Sequence, residues 1–313
     1  MRFGIAALIA GDLLDLLLGD PEWLYHPVRL IGKLISRTEK RLRARGGNLR
    51  AGAVFLTAST VLVTMVVTAL VLRLLGLLGR VPLFIGMALL DWMGIAVTCM
   101  AKEARGVEKA LERGLPDARK QVGRIVGRDT QELDEEEIIK ATVETVAENT
   151  TDGVISPLFW ALLGGPVLLW GFKAANTLDS MVGYMDEKYR DIGWSSARLD
   201  DIMNYIPARL TALLMACAAY LTGLDGRNAF RIVRRDHANH KSPNCAWSEA
   251  AAAGAMHIRL GGTHTYFGKP VEKPTIGDAD RPPERKDIRR ANGLLYVTGG
   301  LMILMIAAAG ILI

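Results

Sequence analysis

The sequence predicts an all-α, polytopic membrane protein with about four to six membrane segments, some re-entrant, joined by helical and irregular polar loops. Three observations predict it. Half of the 313 residues are hydrophobic, yet the chain carries 38 Lys and Arg and 33 Asp and Glu. The runs 51–72 and 294–313 hold 22 and 20 residues without a charge, and either is long enough to cross a hydrocarbon core of about 30 Å. Charge is concentrated between the apolar runs, as in a chain whose loops are wet. The reading treats 1–313 as a single integral membrane domain, with a polar helical loop over 102–153 and a polar cytoplasmic loop over 225–293.

Residues 3–18 are apolar but carry Asp12 and Asp15 and lack a small-residue cleavage site, so they do not read as a cleaved signal peptide. Loop 37–50 has six Lys/Arg against one Glu, which places it in the cytoplasm by the positive-inside rule. Segment 51–72 then exits, Gly79-Arg80 turns outside, and 81–101 returns, interrupted only by Asp91. The stretch 102–140 mixes both charge signs at helical spacing. Asp129-Thr130 stand as candidate caps for the acidic helix that follows. Segments 154–172 and 206–224 either cross or dip and return. Gly164-Gly165-Pro166 permits a re-entrant bend in the first, because proline removes a helical donor and glycine frees the backbone. Residues 225–293 hold thirteen Lys/Arg and eight Asp/Glu and read as cytoplasmic. Within them, 260–268 reads as a glycine-rich turn and 269–285, rich in Pro, Gly and Asp, as an irregular loop. Cys99, Cys217 and Cys245 are scattered and read as buried thiols of a reducing compartment. No basic cluster is interleaved with aromatics, so nucleic-acid binding is not expected.

The chemistry-bearing pattern is acidic. In a continuous helix Glu144, Glu148 and Asp152 stand at i, i+4, i+8 and stack on one face. Three like charges repel, and a membrane protein gains nothing from them unless a cation or cationic substrate sits there. Asn149 adds a further ligand. Mg²⁺ is usually held by one or two carboxylates plus phosphate oxygens and waters, so this face is a candidate for Mg²⁺ with a nucleotide, or for an ammonium nucleophile. Asn176 and Asp179 share a helix face after an apolar segment, where acids are expensive and usually functional. Asp179 or Ser180 as a simple cap is the alternative. Asp200-Asp201 and Asn204 precede a further apolar run, either as ligands or in a salt-bridge network with Arg198 and Arg209. Gly127-Arg128-Asp129-Thr130 suits phosphate by its arginine and backbone amides. His240, Ser242 and Asn244 form a polar turn suited to an anionic substrate, and Gly261-Gly262 with Tyr266 permits close backbone approach.

In order, the stretches Gly19-Asp20-Pro21, His26-Pro27-Val28, 126–130, 144–152, 176–181, 198–209, Ser242-Pro243-Asn244 and Leu260-Gly261-Gly262 with Tyr266 and Gly268 resemble the adenosylcobinamide-phosphate synthase membrane proteins of cobalamin biosynthesis. One departure is Lys241, where that pattern has proline. The resemblance implies an ATP-dependent acid–amine ligase. It joins the carboxylate of adenosylcobyric acid, the corrinoid substrate, to aminopropanol or its phosphate. Implied with it are ATP and Mg²⁺, a multi-pass place in the plasma membrane among lipid, contact with other cobalamin-pathway enzymes, and a homo-oligomer. A carboxylate is a poor electrophile, so Mg-ATP activation to an acyl phosphate fits, and the amine then needs a general base. On this reading Glu144, Glu148, Asp152 and Asp179 are catalytic and hold Mg²⁺, with Glu148 the base. Substrate contacts fall to Arg128, Asp129, Asn149, Asn176, Asp200, Asp201, Asn204, Arg209, His240, Ser242, Asn244, Gly261, Gly262 and Tyr266.

Two other classes stay in view. An intramembrane Mg-dependent prenyltransferase should repeat its Asp-rich motif, which Asp200-Asp201 does not. A cation or corrinoid transporter should place acids at mid-membrane depth in opposed half-helices, and only Asp91 lies mid-span.

Overall fold

The computed structural model describes residues 2–21, 23–184, 186–266 and 268–312. Helices α1 (Arg2–Leu18), α2 (Val28–Arg45), α3 (Leu49–Leu77) and α4 (Arg80–Trp92) come first. Then follow α5 (Val97–Arg113), α6 (Leu115–Val122) and α7 (Glu135–Asn149), which runs into a π-helix over Thr150–Ile155. Next are α8 (Ser156–Val182), α9 (Trp194–Met203), α10 (Tyr205–Leu221), α11 (Gly226–Asp236) and α12 (Cys245–Met256). A hairpin of β1 (Leu260–Tyr266) and β2 (Lys269–Ile276) precedes α13 (Arg285–Leu312).

The helical membrane architecture holds. Among the described residues, four helical stretches are long and apolar enough to cross a membrane: Leu49–Leu77, Arg80–Arg113, Glu135–Val182 and Arg285–Ile311. A fifth arises if α9 and α10 count as one broken span. Helix α3 shows why lipid is its solvent. Phe55, Leu62, Val66, Leu70 and Leu74 are all exposed, an apolar face that water would penalise. Asn48 caps it by accepting from the amides of Arg50 and Ala51.

The run 81–101 lies within the candidate span Arg80–Arg113, with a turn over 93–96 between α4 and α5. Three expectations are corrected. The cap of α7 is Asp134, paired with Glu137 in a capping box, and not Asp129-Thr130. Residues 260–268 and 269–285 are not merely turn and loop. They carry an antiparallel hairpin in which Leu260 pairs with Ile276 and Tyr266 with Lys269. Proline is tolerated on such a lone edge strand, so Pro270 and Pro274 hid it. Lastly, Cys217 is exposed on α10, not buried. The Gly-Gly-Pro bend is present: Gly164 (φ −151°, ψ 25°) and Gly165 (φ 62°, ψ −160°) leave helical geometry within α8.

The chain packs as two compact units, each drawn from separated stretches: Met1–Ala96, Ser156–Asn204 and Met305–Ile313 in the first, Val97–Ile155 and Tyr205–Leu304 in the second. In the first, α1 packs on α4 and α3 on α8. Trp92 and Trp170 are buried, and their indole N–H groups donate to the carbonyls of Gly19 and Leu90. In the second, α12 packs against α10, α11 and α7. Ala250–Ala253 are all buried there, small residues that let neighbouring backbones approach. Arg281 and Arg290 converge on the buried Asp287, whose carboxylate also accepts from the Glu284 amide at 2.8 Å, which starts α13 firmly after Pro282-Pro283.

Candidate functional site

In the second unit the acidic stretch of α7 faces the hairpin. Arg128 donates through Nη2 to Glu144 Oε2, and the Gly261 amide donates to Glu144 Oε1 at 2.8 Å. Both side chains of the ion pair are nearly sealed, at 6% and 9% exposure. Gly261 can approach because it has no side chain. Its φ is +75°, and a Cβ there would collide with the Pro274 carbonyl. The Arg128 Nη1 lies 3.0 Å from the His264 ring. Burial, and then the Arg128 charge, lower the His264 pKa to about 4, so the ring is neutral and accepts. Asp129 pins the same hairpin: its amide donates to Thr265 O at 2.9 Å, and its carboxylate accepts from Gly268 N at 2.7 Å. Gly262 is the next residue on β1, at the register shift. The side chain of Tyr266 lies outside the described residues.

A turn further along, Glu148 Oε1 accepts from the Cys245 thiol at 3.3 Å. Burial pushes that thiol well up, helped by the charges of Glu148, Glu249 and Asp152. Glu249 on α12 is buried and raised well above the usual carboxylate range, first by burial and then by Glu144 and Glu148. The His240 pKa is lowered by burial and by Lys273, and its Nδ1 accepts from Ser242 N at 3.0 Å. Asn244 Oδ1 accepts from Arg209 at 2.9 Å. The Arg209 guanidinium lies 3.5 Å from the Tyr205 ring centroid and 4.7 Å from that of Trp247, a cation–π sandwich that orients it. Asn149 Nδ2 donates back to Thr145 O. The π-helix begins directly after Asn149, so Asp152 is turned from the i+8 position that a continuous α-helix would give it.

The first unit holds the other predicted residues. Asp200 is buried and accepts from two amides, Asn176 Nδ2 at 3.3 Å and Asn204 Nδ2 at 3.0 Å. Ser156 Oγ in turn donates to Asn204 Oδ1 at 2.5 Å. Asp201 pairs with Arg198 at 3.6 Å. Asp179 and Ser180 lie inside α8, so neither caps it. The structure thus gathers Arg128, Asp129, Glu144, Glu148, Asp152, Arg209, His240, Ser242, Asn244 and Gly261 in one unit, and Asn176, Asp179, Asp200, Asp201 and Asn204 in the other.

Family models match residues 8–295 to the description "CobD/Cbib protein". The chain belongs to the CobD/Cbib protein family. Its similarity to curated members is near full length. It is 50% identical over 303 residues to the cobalamin biosynthesis protein CobD of Geobacter metallireducens, covering 96% of this chain and 95% of that one. With the CobD of Listeria monocytogenes it shares 47% over 307 residues, 96% of both. The cobalamin biosynthesis protein CbiB of Salmonella typhi is 46% identical over 301 residues, 95% of this chain and 94% of that one. No solved structure matches. The interval matched to the CobD/Cbib family contains every motif on which the resemblance rested.

Glu249, His264, Lys273 and Cys245 were not among the expected site residues. Glu249 did carry a signal, a lone carboxylate in an otherwise uncharged helix. Lys273 carried none, since a stretch such as Val-Glu-Lys-Pro is ordinary in loops. As to Mg²⁺, no three His, Cys, Asp or Glu side chains among the described residues converge on one point, and both Glu144 oxygens already accept hydrogen bonds. An all-protein cage does not fit. Coordination by one or two carboxylates with phosphate oxygens fits Glu148 and Asp152, which both act on Cys245.

Proposed function

We propose that this protein serves cobalamin biosynthesis by forming an amide between the carboxylate of adenosylcobyric acid and aminopropanol or its phosphate, in the plasma membrane. The observation that carries the reading is the contrast among carboxylates in the second unit: Glu144 locked to Arg128, Glu249 buried with its pKa pushed up, and Glu148 facing a thiol donor. Carboxylates whose surroundings push their protonation apart are how one site supplies acid and base together. The names borne by its relatives, cobalamin biosynthesis proteins, support the pathway.

Glu148 and Asp152 are the residues that would hold Mg-ATP, whose γ-phosphoryl group would pass to the corrinoid carboxylate as the bond to the β-phosphate breaks and ADP leaves. Glu148 takes a proton from the incoming ammonium, so the nitrogen lone pair is free to attack. The C–N bond forms, the C–O bond to phosphate breaks, and phosphate leaves with its electron pair and takes the second nitrogen proton, leaving the neutral amide. Arg128 supplies a fixed positive charge near the anionic groups, its orientation set by Glu144 and His264. Arg209 and Asn244 form a second, aromatic-braced donor site for the phosphate of the amine substrate.

The test is turnover by purified protein in nanodiscs supplied with adenosylcobyric acid, aminopropanol phosphate, ATP and Mg²⁺, read by mass spectrometry of the corrinoid. The expected product has gained one amide-linked aminopropanol phosphate, and Glu148→Gln lowers its rate at least a hundredfold. A folded, corrinoid-binding protein that makes no product would end the ligase reading.

A further inference from the structure

Helix α2 carries a second constellation, in the first unit and outside every residue used above. Arg29, Lys33 and Arg37 stand at i, i+4, i+8 and so share one face. All three are exposed, and with Tyr25, Ser36 and Met181 they line a groove of about 580 Å³. Among the described residues no carboxylate lines it. Elsewhere on the same helix Arg43 is tied to Glu39 at 2.8 Å, whereas no ion pair among the described residues engages Arg29, Lys33 or Arg37. Three unpaired like charges at this spacing destabilise a helix. An anion spanning them removes that penalty.

We propose that Arg29, Lys33 and Arg37, with Tyr25, Ser36 and Met181, form a binding groove for a phosphate-bearing ligand. The two guanidiniums match phosphate oxygens as bidentate forks, and Lys33 adds a compact point charge between them. Tyr25 fixes the geometry, its ring centroid 5.6 Å from the Arg29 guanidinium and 5.1 Å from Lys33 Nζ. Ser36 adds a hydroxyl donor. The volume exceeds that of a bare phosphate and matches a small-molecule site, so Met181 and the Tyr25 ring face the organic part. Phosphate of this kind comes from two sources, an anionic lipid headgroup or a free phosphate compound.

The test uses the full chain in phosphatidylcholine nanodiscs. Inorganic pyrophosphate is titrated by calorimetry, and retention of added phosphatidylglycerol is read by native mass spectrometry. Each of Arg29→Gln, Lys33→Gln and Arg37→Gln is expected to weaken binding about tenfold, the triple change to abolish it, and Lys33→Arg to preserve it. Pyrophosphate binding lost in the triple variant supports the groove with a soluble ligand. Selective phosphatidylglycerol retention lost in the same variant supports it with a lipid. The proposal is overturned if the wild type takes up neither probe, or if the variants match it. Should the triple variant not fold, the three single changes at exposed positions decide between the same outcomes. Neither readout depends on ligase turnover, so failure here leaves that reading untouched.

Discussion

Two buried carboxylates in this molecule accept hydrogen bonds from different kinds of donor. Glu144, in the second unit, is met by a guanidinium and one backbone amide. Asp200, in the first, is met by the side-chain amides of Asn176 and Asn204, with Ser156 orienting the latter. The difference decides how each responds to loss of a partner. A charge paired with a charge is strongly destabilised when its counter-ion goes, because the burial penalty remains. Removing one side-chain amide from Asp200 takes away a single hydrogen bond.

The largest effect is expected from Arg128→Met, which strands Glu144. It should lower stability by about 3–5 kcal/mol, read as detergent-solubilised unfolding, and Arg128→Met combined with Glu144→Met should recover most of the loss. If the single change is neutral, Glu144 is not held by that pair. Asn204→Ala should cost less, about 1–3 kcal/mol, with the Asn176→Ala effect smaller still, given its longer 3.3 Å contact. A loss equal to that of Arg128→Met would make the two carboxylates energetically alike. Gly261→Ala tests the amide partner alone. Its positive φ and the collision of a Cβ with Pro274 O predict a loss of about 1–3 kcal/mol, without changing any charge.

The smallest effect is a pH slope. His264 has a folded pKa of about 4 against an ordinary 6.5, so between those values the unfolded chain binds more protons. Stability therefore falls as pH drops from 6.5 to 4, levels off below, and is fully present above 6.5. His264→Gln should flatten that window in unfolding measured across pH, while the Asn176–Asp200–Asn204 cluster contributes no histidine to it. An unchanged slope would show that His264 is not buried against Arg128.

The spans were legible wherever one property dominated locally. The uncharged run 51–72 sits within Leu49–Leu77 because nothing in it resists lipid. At the other end the helix extends back to Arg285, since charged residues continue it at helical spacing once Asp287 caps its start. The hairpin was not legible, because Pro270 and Pro274 are evidence against a strand unless it is an edge. The acidic stretch was visible at once, but its partners were not. Gly261 and Cys245 reach Glu144 and Glu148 across 117 and 97 residues of chain, and no local spacing encodes such contacts. The ladder itself was right for Glu144 and Glu148, one α-turn apart. For Asp152 it assumed an unbroken α-helix.

The widened turn over Thr150–Ile155 makes the aim of Asp152 a matter of arithmetic on chain length. Each residue of an α-helix advances the direction of a side chain by about 100°. One residue more or fewer ahead of Asp152 would therefore swing its carboxylate through that angle without altering any side chain's chemistry. In this stretch an indel is as consequential as a substitution, and the spacing of the letters carries as much of the specificity as the letters themselves.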